Sequence, residues 1–246
     1  MDKKRNSVEF KITGRYAMFA DPVTRVGGEK FSYQIPTYQS LKGILESVYW
    51  KPTFIWYIDA VRVMKKIQTE SKGIKPIKMS GGNDLSYYTY LRDVEYQVLA
   101  HFDWNCQRDK LEKDRDEHKH HNIAKRSIQK GGRRDVFLGT RECQGYVEPC
   151  VFGEDGKSFY DQYGELDFGV MFHGYDYPDE TGKDELVVRL WRPKMIDGII
   201  KFPMPKDCDS SMRRFIRKMT PKKFEGDRNF SSVDNDFTVA DLLEEE

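Results

Sequence analysis

The sequence predicts an α+β protein: a ferredoxin-like domain over residues 1–148, followed by a small antiparallel β-sheet domain over 149–246. Two observations carry that expectation. Up to Gly139 the apolar pattern runs strand, helix, two strands, helix, strand, which is the split βαβ order that lays an antiparallel sheet against two helices. After Pro149 the runs are strand-like and separated by turn residues.

Each element has its own signal. Val8, Phe10 and Ile12 alternate with polar residues and read as a half-buried strand that Gly14 closes. The stretch "FADPVTRVGGEKFSYQIP" is rich in turn residues and reads as a loop or a loose hairpin. Thr37 follows Pro36 as a helix cap, and Leu41, Ile44, Leu45 and Val48 then recur at helical spacing until Pro52 stops the helix. Tyr49 lies about 80° round from Leu41 at 3.6 residues per turn, on the flank of that apolar stripe. "TFIWYIDAVRVM" is dense in β-branched and aromatic residues and reads as the second strand. "SKGIKPIKMSGGND" reads as a basic loop. Val94, Tyr96, Val98, Ala100, Phe102 and Trp104 alternate along the third strand, with His101 on its other face. Ile123, Ala124 and Ile128 suggest a short helix closed by Gly131-Gly132, and "DVFLG" reads as the fourth strand. Beyond Pro149, "ELDFGVMFHGY", "ELVVRLWRP" and "MIDGIIKFP" make the β-sheet domain. The tail from Thr220 is expected to be mobile apart from a last helix around "VADLL".

Charge is segregated along the chain although it nearly cancels over 246 residues, at a net +1. Residues 108–134 hold ten basic and five acidic side chains, and residues 210–224 hold six basic and no acidic ones. Local basic patches on a near-neutral chain fit a polyanion site better than general stickiness. The four cysteines are widely spaced with no CxxC pair, which speaks against a zinc knuckle and for a reduced, cytoplasmic protein. The N-terminus lacks the apolar core of a signal peptide, and no apolar run is long enough to span a membrane.

The stretch "DEHKHHNIAKRSIQKGGRR" carries three of the five histidines, His118, His120 and His121. Three readings compete. As a metal site it has carboxylates nearby at Asp114, Asp116 and Glu117, but adjacent histidines diverge on a regular element and Lys119 repels a cation. As a charged run it is a solvated loop. As a phosphate-chemistry site, a histidine takes or gives a proton near neutral pH and a neighbouring lysine stabilises a charged phosphorane. On RNA the nucleophile is already present as the 2′-hydroxyl, so the reaction needs a base, an acid and charge stabilisation but no metal. Lys125, Arg126, Lys130, Arg133 and Arg134 would hold the backbone beside it. "VGGEK" lacks the full phosphate-loop pattern. His173, among aromatics, reads as a satisfied structural histidine.

Four longer stretches carry a resemblance: "GRYAMFADPVTRVGGEKFSYQIPTYQSLKGILESVYWKP", "RVMKKIQTESKGIKPI", "GGRRDVFLGTRECQGYV" and "HGYDYPDETG". Together they resemble subtype d of the fifth CRISPR-associated (Cas) family, the repeat-RNA-processing proteins of type I-C systems, from Val8 to about Met219. The resemblance implies a ferredoxin-like domain of the RAMP (repeat-associated mysterious protein) type and a C-terminal β-sheet domain. It implies metal-independent cleavage of the CRISPR repeat transcript at the base of a hairpin, leaving a 2′,3′-cyclic phosphate. It also implies retention on the 5′ handle of the guide RNA, beside the large and backbone subunits of the surveillance complex. The family's tyrosine at the end of the first helix matches Tyr49, and its Lys-His pair matches Lys119 and His120. The flanking His118 and His121 depart from the pattern and leave the register of the active histidine open. On this reading Arg126, Arg133 and Arg134 contact the RNA backbone, with Arg25 and Lys30 from the early loop, and no cofactor is needed. Two other readings stand beside it: a guide-RNA handle-binding assembly subunit that does not cut, and a metal-dependent nuclease acting on duplex DNA.

Overall fold

The computed structural model describes residues 4–20 and 28–222. Arg25 and the expected terminal helix lie outside the described residues. The chain runs β1 (Val8–Ala17), β2 (Lys30–Phe31), α1 (Tyr38–Val48), β3 (Phe54–Val63), β4 (Thr69–Ile74), β5 (Ser86–Trp104), α2 (Glu117–Gln129), β6 (Val136–Phe137) and β7 (Gln144–Pro149). It continues as β8 (Glu165–Asp167), β9 (Met171–Asp176), α3 (Pro178–Thr181), β10 (Glu185–Trp191), β11 (Lys194–Ile196), β12 (Ile199–Lys201) and β13 (Arg213–Lys218).

The four central strands lie in the order β7-β1-β5-β3, each pair antiparallel. Counted along the βαββαβ unit this is fourth, first, third, second, the ferredoxin-like arrangement that the sequence predicts. The fourth strand is β7, not "DVFLG", which contributes only the two residues of β6 at the sheet edge. The reason is local. Gly139 sits at φ +100°, and a Cβ there would lie 1.9 Å from the Met18 carbonyl oxygen, so the chain turns away instead of extending. β4 overlaps the start of the segment that reads as a basic loop, Ser71 to Asp84. Its residues Thr69–Ile74 pair with β5 yet bury no apolar row, so no hydrophobic period announces it.

Phe10, Ile12, Val98, Ala100, Phe102, Trp56 and Ile58 line the face of the sheet that meets the helices, and α1 adds Leu41, Ile44, Leu45 and Val48. Pairing between β3 and β5 shifts register between Ile58 and Ala60. The extra residue there, Asp59, lets Val61 and Val63 stay in the core, while its carboxylate meets His101 Nδ1 at 2.8 Å. Thr37 caps α1 through Oγ1, which accepts from Ser40 N at 3.1 Å; such a cap contributes about 1 kcal/mol.

Beyond residue 149 the strands divide between two sheets. β12, β11 and β8 extend the first sheet beyond β3, and β13-β10-β9 form a second. Ion pairs with a buried cation and a more exposed carboxylate tie this half to the first: Arg62 on β3 to Asp161 at 2.9 Å, and Lys42 on α1 to Glu180. Removing the carboxylate leaves the buried Arg62 or Lys42 charge without that partner, whereas removing the cation leaves a carboxylate that water can reach.

His173 on β9 is fully buried and stacks on Tyr38 of α1 at 4.3 Å between ring centroids. Its Nε2 donates to the Pro203 carbonyl at 3.2 Å, so Nδ1 is left to accept from Arg189 Nε at 3.3 Å. Burial, with the Arg189 charge second, pushes its pKa down to about 3. The folded state therefore refuses a proton that the unfolded chain takes below about pH 6.5, so stability falls with acidification from there toward pH 3. The expected result in urea titrations is a fall of up to about 1.4 kcal/mol per pH unit between pH 6.5 and 4.5 that His173→Gln lacks. Equal slopes in the two proteins would contradict it.

Candidate active site

α1 ends at Val48, and Tyr49 leaves it in an extended conformation, φ −157° and ψ 123°. Two hydrogen bonds fix that turn: Tyr49 N–H donates to Leu45 O at 2.9 Å, and Trp56 Nε1 donates to the Tyr49 carbonyl at 2.7 Å. The phenol is thereby driven inward beside Phe54.

The histidine cluster opens α2. Asp116 caps the helix, its Oδ1 accepting from Lys119 N at 3.0 Å. His120, Ala124 and Ile128 follow at four-residue spacing and form the buried stripe. The three histidines take three directions. His120 enters the core among Phe54, Phe102 and Trp104. His121 donates from Nε2 to the Ser7 carbonyl at 2.9 Å, and His118 meets the Arg5 guanidinium at the surface. Divergence defeats their use as one metal site, and among the described residues no three His, Cys, Asp or Glu side chains are grouped to hold an ion.

The fold brings Tyr49 and His120 together across 71 residues: Tyr49 Oη lies 2.8 Å from His120 Nδ1. His120 Nε2 lies 2.8 Å from the Asp114 carbonyl oxygen, which only accepts, so Nε2 carries a hydrogen and Nδ1 is the acceptor nitrogen of that tautomer. Nδ1 then accepts from the Tyr49 hydroxyl. Burial, and next the Asp114 carboxylate, push the Tyr49 pKa up to about 12 against the weaker opposite pull of Arg133. The phenol therefore stays protonated, which suits a positioning or relaying role and not that of a free base.

Lys119 is the exposed neighbour. Its Nζ donates to Asp114 Oδ1 at 2.5 Å, while Thr53 Oγ1 donates to Oδ2 at 2.7 Å. These two donors hold the Asp114 carboxyl below the usual carboxylate range. Asp114, at the end of the 3-10 turn Asp109–Asp114, thus bonds both to Lys119 and to His120, whose side chains leave the helix in different directions. The sequence pattern offers Asp114 only as a metal ligand; its place as the shared acceptor depends on the turn.

The basic residues separate into two groups. Gly132, at φ +109°, donates to Ser127 O at 2.8 Å and packs against Val48, so the Gly131-Gly132 turn closes α2 and carries Arg133 to the end of α1. Arg133 N–H donates to the Val48 carbonyl at 3.2 Å, and its guanidinium lies 6.0 Å from the Tyr49 ring centroid. Arg134 follows it, and both line a cavity with Trp50 and Lys51, two residues given no role in the sequence reading. Arg126 is exposed on α2, about 20° from Lys119 on the helical wheel, which places the two on one stripe. Lys30 is elsewhere: on β2 its ammonium lies 4.7 Å from the Tyr88 ring centroid, in another cavity with Phe31 and Tyr87. No helix among the described residues is long and apolar enough to cross a membrane.

A split βαβ sheet in fourth-first-third-second order, with titratable side chains gathered where its two helices meet, is the build of a ferredoxin-like protein of the RAMP class. The family model described as CRISPR-associated protein (Cas_Cas5) matches residues 7–203, and the chain belongs to that Cas5d family. A protein of Mannheimia succiniciproducens named CRISPR pre-crRNA endoribonuclease Cas5d is 27% identical over 228 residues, covering 80% of this chain and 95% of that one. A Thermus thermophilus protein of the same name is 28% identical over 193 residues, covering 74% and 79%. Among solved structures, a crystal structure of a CRISPR-associated protein matches with a TM-score of 0.70 at 38% identity, over 82% of this chain and 94% of that one. A functionally uncharacterized protein from Streptococcus mutans matches at 0.69 and 40%, over 82% and 95%.

Proposed function

We propose that this protein cuts CRISPR repeat RNA without a metal ion, by attack of a 2′-hydroxyl on the adjacent phosphodiester. The product is a 2′,3′-cyclic phosphate, and the protein then remains on the 5′ handle of the guide RNA with the large and backbone subunits of a type I-C surveillance complex. The observation that carries the reading is the 2.8 Å bond between Tyr49 Oη and His120 Nδ1, with Lys119 next to His120 in the first turn of α2. The names of the Mannheimia and Thermus relatives support it.

The residues divide the chemistry as follows. The 2′-oxygen bonds to phosphorus as its proton passes to Tyr49 Oη and the phenol's own proton passes to His120 Nδ1. Lys119 stabilises the charge gathering on the phosphorane oxygens. The P–O5′ bond breaks, and the imidazolium returns a proton to the departing 5′-oxygen. The net change is transfer of one proton between two hydroxyl oxygens, with no water consumed.

The site is closed as it stands. Tyr49 and His120 are 2% and 1% exposed, and Lys119 is engaged by Asp114. A phosphate would compete directly with the Asp114 carboxylate for Lys119. This closure also favours a second reading, in which handle binding is the main work and cutting is slow or vestigial. The experiment that separates both from a metal nuclease is incubation of the purified protein with its own repeat RNA in EDTA. Unchanged cutting is expected; cutting restored only by Mg²⁺ or Mn²⁺ would refute the proposal.

A further inference from the structure

Beside Tyr49 lies a cavity of about 580 Å³ lined by Trp50, Lys51, Glu46, Ser47, Arg133 and Arg134. Its presence follows from how α1 ends. Because the chain is extended at Tyr49, consecutive side chains leave on opposite sides: Tyr49 goes inward and Trp50 outward. Trp50 is left 46% exposed, an unusual state for an indole next to a buried catalytic candidate. Lys51, Arg133 and Arg134 are exposed around it, and none of the three forms an ion pair with a described carboxylate. An open aromatic face rimmed by unneutralised cations matches a base and its phosphate, because every base offers a π-face and the backbone offers fixed negative charge. The cavity is also within the ~300–1,000 Å³ that encloses a small ligand. An apolar protein side chain would bury the indole but leave the three cations without partners.

We propose that this cavity is a nucleotide subsite: it takes one unpaired ribonucleotide flanking the scissile linkage, with the base stacked on Trp50 and its phosphates held by Lys51, Arg133 and Arg134. The inference rests on the cleavage reading above and adds to it a residue that sets where the RNA is cut. Arg133 connects the two, since its guanidinium also stands over the Tyr49 ring. A nucleotide seated on Trp50 therefore delivers its neighbouring phosphate to the Tyr49–His120 side of α1. Glu46 and Ser47, on the last turn of α1, supply hydrogen-bonding groups for the base edge.

A thermodynamic cycle tests this. The full-length protein is titrated with its own repeat RNA, made uncleavable by a 2′-deoxyribose at the cut and carrying an abasic site at each flanking unpaired position in turn. One position is expected to weaken wild-type binding by about tenfold to a hundredfold. That same abasic site is expected to cost Trp50→Ala nothing further, while Trp50→Phe behaves as wild type within a few-fold. On cleavable RNA, Trp50→Ala is expected to blur the cut position. If every abasic position weakens wild type and Trp50→Ala equally, in a protein that still binds and cuts the RNA, the subsite is overturned and the cleavage reading stands. A wild-type protein that neither binds nor cuts the RNA overturns both.

Discussion

Repeat RNA with a 2′-deoxyribose immediately upstream of the scissile phosphate is expected to bind this protein normally and not to be cut at all. The expectation is absolute because the removed atom is the nucleophile itself. On the proposed reading Tyr49 and His120 would pass a proton without acting as the nucleophile, with the phenol held protonated by a pKa of about 12. Binding is expected to be spared because, on the proposed reading, Arg126, Arg133 and Arg134 would engage phosphates and not the ribose hydroxyl. Gel-shift and cleavage assays on matched RNAs check both halves together. Residual cleavage of the deoxy RNA at the same linkage would mean that water or a side chain attacks, and the proton route through Tyr49 would have no purpose.

The second large effect is expected from His120→Ala. Losing the proton carrier should lower the single-turnover cleavage rate by about 10²–10⁴-fold, the range for a positioned acid–base group. RNA affinity should change little, since His120 is 1% exposed and reaches no phosphate in the closed state. The substitution also leaves the buried Tyr49 hydroxyl without its acceptor, at about 1–3 kcal/mol, so melting curves must accompany the rates. His118→Ala and His121→Ala are the controls. His118 meets Arg5 at the surface and His121 meets the Ser7 carbonyl, so both variants should cut within a few-fold of wild type. A large loss in either, with His120→Ala active, would move the chemistry to another imidazole. If His120→Ala left guide-RNA maturation in cells intact, the handle-binding reading would take precedence.

The strands that bury one face were legible in the sequence because alternation at Val8–Ile12 and Val94–Trp104 is a direct consequence of the pleat. So was α1, where Leu41, Ile44, Leu45 and Val48 all enter the core. "DVFLG" carries the same apolar signal, but Gly139 turns it away from the sheet, and the strand role passes to Gln144–Pro149. Short exposed strands such as β4 leave no period to read. The histidine cluster shows a similar boundary. Its composition suggests phosphate or metal chemistry, but which imidazole turns inward depends on where α2 begins, and the Asp116 cap fixes that. Asp114 was legible only as a metal ligand and Trp50 only as part of a longer resemblance, because their places come from chain direction: a 3-10 turn whose last residue bonds Lys119, and an extended residue at the end of α1.

The central claim is that ribose oxygen, and no metal-bound water, breaks the linkage. It is tested most directly by mass spectrometry of the upstream fragment released from repeat RNA by the purified protein in EDTA. A fragment ending in a 2′,3′-cyclic phosphate is the expected result. A fragment ending in a free 3′-hydroxyl, with the phosphate on the downstream piece, would contradict the account.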